Sequence, residues 1–302
     1  MNPLVLKKEV LHEMVYHLLT RIISDIPRDV EDYLEKQLAS EKAPLASLQL
    51  KNTLENIHYA RDNSALSCGD TGYPLFYIYL GGNILFEGGP HILYEVCQDV
   101  VAKATKESRL RSTMVHPLTR VNVGTNVGSF MPYIDIRMDP KLVGLKVIFV
   151  PKGGGAEIYG SFFRMLLPMD GKNGVIKFIL DSVMEGLYAG KVCPPCIVGI
   201  GIGGTSDFCM KLAKEAAVLR PVGDRHPEKE IAALEVELLD SINSLGFGAM
   251  GCGGKSAVMD VHIEYALVHT GALPVAVNIQ CVIARRGIAE IDGNGNVQFS
   301  MF

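Results

Sequence analysis

The stretch GKVCPPCIVGIGIGGTSD, residues 190–207, decides how this sequence folds. Its centre, CIVGIGI (196–202), is a short apolar run bounded by Pro and Gly, and this pattern predicts a buried strand. The following SDFCMKLAKEAAVLR (206–220) has the apolar spacing of a helix. A strand leading into a helix favours a fold of mixed α and β structure. The stretch also holds a CxxC and a GxGxxG, so its chemistry needs a separate test.

Outward from this stretch, helical and strand-like patterns follow one another along the chain. Helices are predicted over 3–25, 28–39, 46–62, 90–106, 173–188, 206–219 and 228–245, and strands over 75–80, 133–138, 145–150, 196–202, 257–263 and 274–284. IAEIDGNGNVQFS (288–300) predicts a hairpin, because its Asp-Gly and Asn-Gly turns tolerate positive φ. No repeat or polar linker interrupts the chain. We therefore expect a single compact α/β unit with helices packed on mixed sheets and a C-terminal hairpin.

Composition excludes several classes of partner. The chain has 302 residues, 48% of them hydrophobic, enough to bury a large core. Its 29 basic and 33 acidic residues are dispersed and give a net charge of −4, so nucleic acid is not an expected partner. The longest apolar runs are interrupted and too short for a membrane span. Charged residues near the N-terminus exclude a signal peptide, and we expect a cytoplasmic protein.

Two glycine-rich motifs resemble nucleotide-binding sequences. Gly199, Gly201 and Gly204 form a GxGxxG between the predicted strand and helix, as in dinucleotide-binding sites. After the helix, however, the polar RPVGDRHPEKEI (220–231) stands where a second strand is required. AMGCGGKS (249–256) resembles a P-loop, but it lacks the first glycine and a strand-like run follows it instead of a helix. Both readings are disfavoured, and the first remains an alternative.

The seven cysteines are too few and too irregularly spaced for a disulfide framework. CPPC precedes a strand-like run instead of opening a helix, which disfavours a redox pair, and no second close pair supports structural zinc. Three cysteines stand in Gly-, Pro- or Asp-rich contexts: Cys68 in SCGDTGYP, Cys193 in VCPPC and Cys281 in NIQCVIARRG. Three soft thiolates suit a four-iron cluster with one iron left open for substrate.

These cysteines belong to an ordered series of motifs that resembles the class I iron–sulfur fumarases and L(+)-tartrate dehydratases, in their α subunit or N-terminal portion. The matching motifs are SCGDTG (67–72), RLRSTMVHPLTRVNVGTN (109–126), PKGGGAE (151–157), VCPPCIVGIGIGGTS (192–206), LRPVGDRHP (219–227) and VMDVHIEYALVHTGALPVAVNIQCVIARRG (258–287). The resemblance implies one α-subunit domain over 1–302, with an N-terminal helical segment (1–45) and a family-matching core (46–290).

The resemblance also implies a cofactor and a reaction. Cys68, Cys193 and Cys281 would hold a four-iron four-sulfur cluster, whereas the four other cysteines would only pack: Cys97, Cys196, Cys209 and Cys252. The open iron would act as a Lewis acid in reversible hydration of a C4 dicarboxylate, either fumarate and malate or L-tartrate to oxaloacetate. Among the rival classes, a nucleotide-dependent oxidoreductase and a non-catalytic metal scaffold stay open.

Further site residues follow from the resemblance. Arg111 would bind a substrate carboxylate, for which a guanidinium fork is suited. His269 would donate a proton and Asp70 would orient water or a neighbouring group. Three glycines and a lysine would contact the same substrate: Gly153, Gly154, Gly155 and Lys255. Gly69 stands where the family usually has Gln, so the identity of the substrate stays open.

The resemblance covers only part of what a single-chain fumarase contains. Such enzymes continue into a C-terminal domain that supplies the catalytic base, and this chain ends at Phe302. We therefore expect a separate β subunit to complete the site, in an assembly of two copies of each chain (α2β2).

Overall fold

The structure is a computed structural model that describes residues 3–301. Its α-helices are α1 (Lys8–Ile22), α2 (Arg28–Ser40), α3 (Pro44–Asn63), α4 (Ile92–Lys106), α5 (Gly154–Tyr159), α6 (Gly171–Tyr188), α7 (Ser206–Leu219) and α8 (Lys229–Ser244). Its strands are β1 (Leu4–Leu6), β2 (Tyr73–Leu80), β3 (Ile84–Phe86), β4 (Tyr133–Met138), β5 (Leu145–Lys152), β6 (Ser161–Leu166), β7 (Cys196–Gly203), β8 (Val258–Ala266), β9 (Leu273–Gln280), β10 (Gly287–Ile291) and β11 (Val297–Ser300). Short 3-10 helices lie at Pro168–Asp170 and Ala249–Gly251.

The mixed α/β class, the helices packed on mixed sheets and the C-terminal hairpin are confirmed. The expectation of a single unit is refined, because contacts along the chain concentrate in two compact units. Unit 1 comprises 1–27, 57–152 and 285–302, and unit 2 comprises 28–56 and 153–284. The four boundaries fall directly before α2, within α3, directly after β5 and between β9 and β10, where no linker composition marks them. Residues 1, 2 and 302 of the predicted domain lie outside the described residues.

Unit 1 is built on a five-stranded sheet in the order β11-β10-β5-β2-β4. β4 runs parallel to β2, while β5 is antiparallel to both β2 and β10. One core joins the apolar face of α1 to the sheet and to α4, through residues such as Leu18, Val100, Phe76 and Phe149. The beginnings of β2, β4 and β10 and the end of β5 therefore lie at the same edge of this sheet.

Unit 2 is built on a four-stranded sheet in the order β6-β9-β7-β8. β7 and β8 are parallel, and β9 is antiparallel to both of its neighbours, β6 and β7. α6 and α8 contribute Val183 and Leu238 to a core with Val198 and Val277 of the sheet. The beginnings of β6, β7 and β8 and the end of β9 share one edge, which we call the cysteine edge.

Two glycines of β7 let α7 lie directly against the sheet. A Cβ on Gly199 would stand 2.7 Å from the Cβ of Ala217, and one on Gly201 would stand 2.8 Å from the amide nitrogen of Ala213. Any larger residue at either position would overlap the α7 backbone, since real Cβ atoms do not approach this closely. The glycines at 199 and 201 are thus explained by packing inside a strand.

Four short elements of the structure were not predicted from the sequence. The predicted helix over 3–25 begins instead with β1, which pairs in parallel with β3, and the helix starts at Lys8. α5 and β6 arise from GGAEIY and SFFRML, where glycines and a charged residue obscure any period. These elements depend on pairing and packing with distant residues, which propensity does not record. Among residues 3–301, no helix is both long enough and apolar enough to cross a bilayer.

Candidate active site

Cys193 and Cys281 lie side by side at the cysteine edge of unit 2. Cys193 precedes β7, Cys281 follows β9, and Ile197 of β7 pairs with Gln280 of β9. The amide of Val282 donates a hydrogen bond of 2.9 Å to the carbonyl of Cys193. The antiparallel register therefore brings two thiols together that are 88 positions apart in the sequence, since 281 − 193 = 88.

The two cysteines of CPPC have opposite surroundings. Cys193 is exposed, whereas Cys196 is fully buried in β7 and its thiol donates a hydrogen bond of 3.5 Å to the Ala257 carbonyl. A thiol that is enclosed and already bonded to backbone cannot serve as one half of an accessible redox pair. The motif therefore combines one packing cysteine with one accessible cysteine.

Accessibility sorts the remaining cysteines in the same way. Cys97 and Cys209 are buried, and burial raises the pKa of both thiols, that of Cys209 to about 12. Cys68, Cys252 and Cys281 are half-buried. A cluster ligand must reach the metal as a thiolate, so accessibility disfavours the enclosed thiols as ligands but does not distinguish Cys252 from Cys68, Cys193 and Cys281. The seven cysteines, all within the described residues, form no disulfide.

The glycine run after β5 also reaches the cysteine edge. Gly153 to Gly155 lead into α5, directly before β6, and the amide of Ile279 donates a hydrogen bond of 2.8 Å to the carbonyl of Gly160. A Cβ on Gly155 would overlap the carbonyl oxygen of Lys191, two residues before Cys193. Glycine is therefore required where the run passes the segment that carries the first thiol.

Lys255 lies on a loop that Glu41 holds at the cysteine edge. The Glu41 carboxylate accepts hydrogen bonds from the amides of Lys42 and Ala43, both 2.9 Å, and from the Ser256 hydroxyl, 3.0 Å. Burial acts to raise the pKa of Glu41, but these bonds and one from the Lys255 amide bring it below its usual value. The same loop donates the Met250 amide to the Pro194 carbonyl, 3.0 Å, which ties it to the CPPC segment.

In unit 1, Arg111 lies in the segment between α4 and β4 and bonds to the loop that carries Cys68 and Asp70. Its guanidinium donates a hydrogen bond of 2.8 Å to the Gly69 carbonyl, and its amide donates one of 3.0 Å to the Thr71 hydroxyl. The Asp70 amide donates a hydrogen bond of 3.4 Å to the Cys68 sulfur. The structure thus brings together the three residues that were predicted in this part of the chain.

Three buried cations at the same edge of the unit 1 sheet were not predicted. Arg285 donates a hydrogen bond of 2.7 Å to the Asp70 carbonyl and is 1% exposed. Arg286 and Lys152 are equally enclosed, beside β10 and at the end of β5. With Arg111 they gather four positive charges at this edge, which we call the arginine edge. The sequence signal was the placement of RR and PK next to glycine in two matching motifs, but their burial could not be seen there.

His269 lies at the opposite edge of the unit 2 sheet from the thiols. It stands in the exposed turn between β8 and β9, where its Nδ1 accepts the amide of Gly271 at 3.2 Å. Cys281 follows the far end of β9, so the eight residues Leu273–Gln280 separate them. At about 3.4 Å per strand residue, the length of β9 is roughly 25 Å. Within one chain, His269 therefore does not join Cys193 and Cys281.

The two nucleotide readings find no structural counterpart. Gly199 and Gly201 lie inside β7, between β8 and β9, where a dinucleotide fingerprint needs its first glycines in the turn after the strand. Lys255 of the P-loop-like sequence leads into β8 and not into a helix.

The LRPVGDRHP motif forms a buried ionic network beside β8. Arg220 donates to the fully buried Glu235 at 2.7 Å, and Arg225 donates to Asp260 at 2.7 Å. Asp260 also accepts the amide of Gly223 at 2.6 Å, although its burial still raises its pKa. Each buried carboxylate is matched by a guanidinium and backbone donors, so this motif stabilises the loop over 219–227.

Comparison with known proteins shows the family to which the chain belongs. A sequence model of the fumarate hydratase (Fumerase) family matches residues 12–290. A chain of Methanocaldococcus jannaschii, provisionally named L(+)-tartrate dehydratase subunit alpha, is 43% identical over 93% of this chain and 97% of its own length. The L(+)-tartrate dehydratase subunit alpha of Escherichia coli K12 is 32% identical over 92% of this chain and 89% of its own length.

Proposed function

Because this chain belongs to the fumarate hydratase family, a family of hydro-lyases, we propose that it is the α subunit of an iron–sulfur-dependent enzyme. The proposed reaction is reversible addition of water to a C4 dicarboxylate. The observation that carries the proposal is the pairing of two accessible thiols, Cys193 and Cys281, at one sheet edge, while Cys196 of the same motif is enclosed.

Cys68, Cys193 and Cys281 are the proposed ligands of a four-iron four-sulfur cluster. When bound, such a cluster supplies an open iron that acts as a Lewis acid on the substrate hydroxyl and carboxylate. The accessible thiols of Cys193 and Cys281 support two of the ligands, and the Asp70 amide directed at the Cys68 sulfur supports the third.

The substrate carboxylates are the proposed partners of the cationic residues. Arg111 presents a guanidinium next to the loop of Cys68, and its bond to the Gly69 carbonyl of that loop fixes its direction. Arg285 is proposed as a positioning residue, because its bond to the Asp70 carbonyl holds the loop of Cys68 in place. In unit 2, Lys255 is the proposed second carboxylate contact, with Gly153 to Gly155 as the backbone that approaches substrate closely. Asp70 keeps its proposed role in orienting water.

Proton transfer is the part of the reaction for which this chain alone is insufficient. Removal of water requires a base within hydrogen-bond reach of the C–H proton, and such a base typically contributes about 100- to 10,000-fold in rate. We propose that a β subunit supplies it. His269 is the proposed acid, and from its position it would serve a site to which another chain contributes. An assembly of two copies of each chain follows the commonest symmetry.

The experiment is an anaerobic assay of this chain with reconstituted cluster, alone and with the β subunit encoded in the same genome. L-tartrate is tested first, because both relatives described above carry the name L(+)-tartrate dehydratase, and malate and fumarate follow. We expect turnover only from the pair. Full turnover by this chain alone would show that it contains its own base. Absence of turnover from an iron-loaded pair with all three substrates would refute the proposed reaction and leave a metal scaffold.

A further inference from the structure

Residues 108–132, between α4 and β4, form a basic surface segment of unit 1. The segment contains Arg109, Arg111, Arg120 and His116 and not a single Asp or Glu. It ends at the arginine edge, because Pro132 directly precedes β4. Because the segment has no acidic side chain to offset its basic residues, this surface is electropositive.

Hydrogen bonds hold the segment in one shape. The fully buried Asn126 accepts the amides of Thr113 and Met114 and donates to the carbonyl of Arg111, all at 2.8 to 3.0 Å. The Ser112 hydroxyl donates a hydrogen bond of 2.6 Å to Oδ1 of Asn122, which ties two parts of the segment together. The backbone is therefore set before any partner arrives, so little ordering entropy opposes binding.

Apolar side chains project from this fixed backbone into solvent. Leu118 is 86% exposed, Val121 is 64% exposed and Phe130 is 96% exposed. Leu118 lies within a turn in which the Arg120 amide donates to the His116 carbonyl at 3.0 Å, and Val121 directly follows this turn. A rigid surface that displays several large apolar side chains among arginines has the composition of a protein interface.

We propose that segment 108–132 is the surface on which the β subunit docks, with acidic side chains facing the arginines around an apolar centre at Leu118. The inference rests on the proposed function, since a second chain that supplies the base must reach the arginine edge, where the segment ends. Attraction of the dicarboxylate alone would account for the arginines, but it gives no reason to expose leucine, valine and phenylalanine beside them.

The test measures binding of the purified β subunit to variants of this chain by calorimetry. Leu118→Asp places a charge at the apolar centre, and Arg120→Glu reverses a charge of the rim. The control is Met138→Asp, which alters an apolar side chain that is 70% exposed and lies in the same unit, at the end of β4 away from the arginine edge. Thermal unfolding of each isolated variant checks that the fold is retained.

We expect Leu118→Asp to weaken binding by about tenfold or more, as at an interface centre, and Met138→Asp to leave it unchanged. Arg120→Glu should slow association most strongly at low salt. Equal binding by the wild type and both segment variants, with any change confined to the KM for substrate, would overturn the docking proposal in favour of substrate attraction. Docking without turnover would refute the proposed reaction only. A wild-type chain that does not bind the β subunit would refute both.

Discussion

The two edges of the four-stranded sheet in unit 2 are built from the same four strands, but their connecting segments differ in how they are hydrogen-bonded. At the cysteine edge, the connecting segments are tied together by backbone bonds, such as Val282 to Cys193 and Met250 to Pro194. At the other edge, the β8–β9 turn carries the exposed Leu267 and His269 and bonds mainly to itself. The difference indicates that the cysteine edge is organised within one chain, whereas the His269 edge has surface left for another molecule.

The largest effect is expected from removing a thiol at the cysteine edge. Cys193→Ser and Cys281→Ser should each abolish cluster assembly, as should Cys68→Ser in unit 1, because a hydroxyl is a poor substitute for a soft thiolate. Cys196→Ser is the matched control and should retain the cluster, since its side chain is enclosed and bonded to Ala257. Iron content after anaerobic reconstitution is the measurement. Equal loss of iron from the Cys196 variant would revive the reading of CPPC as a joint pair of ligands.

The second effect tests whether the opposite edge takes part in catalysis. His269→Asn should leave iron content unchanged, because the side chain is remote from Cys281, but should lower the kcat of the two-chain enzyme by about 100-fold or more. Thr270→Ala, in the same exposed turn, is the control and should behave as the wild type. If the His269 variant has normal kcat, the His269 edge has no catalytic role, and the two edges differ only in how their connecting segments pack.

A smaller effect, on stability, concerns the strand between the two edges. Gly199→Ala should lower the free energy of unfolding by about 3 kcal/mol, because the added methyl overlaps α7. Gly82→Ala is the matched control, since a Cβ there meets no atom within 4 Å. Denaturant titration of both variants gives the two values. An unaffected Gly199 variant would show that glycine in β7 is not required for packing and would reopen a ligand role for the motif.

The smallest effect concerns the loop of Lys255. The pKa of Glu41 lies below its usual value of 4.5, so its bonds stabilise the fold above that pH and are lost as the pH falls through the lowered pKa. Glu41→Gln should therefore lower stability by about 1 kcal/mol or less at neutral pH, since the group is partly exposed, and by less still near pH 3. Thermal unfolding across this pH range is the measurement. If the difference in stability between the wild type and Glu41→Gln grows as the pH falls, the lowered pKa of Glu41 is contradicted.

Most long elements could be predicted because their patterns are local. The strand of CIVGIGI and the helix after it were found nearly to the residue, since apolar period and flanking glycine report directly on each. β1, β3 and β6 could not be predicted, because three- to six-residue strands take their conformation from a partner strand.

The site could be predicted only as a set of residue types. The motifs identified Cys193 and Arg111 as candidates, and the roles of both stay predictions. The sequence could not distinguish an enclosed Lys152 or Arg285 from a surface cation, because burial depends on strands that lie far apart along the chain. A spacing of 12 residues between His269 and Cys281 appears short, yet an intervening extended strand turns it into a long distance.

The order of strands in unit 1 has a consequence for how the protein is made. β10 pairs with β5, and Gly287 at the start of β10 packs against Ile22 of α1. Ile22 is synthesised early and therefore lacks this contact until Gly287 has been added to the chain. At about 5 to 20 residues per second, a ribosome needs roughly 10 to 50 s to add the chain between them. Throughout that interval the apolar face of α1 lacks part of its cover, while the sheet of unit 2 is complete once Gln280 has emerged. The newborn chain therefore keeps part of this apolar face exposed for most of its synthesis.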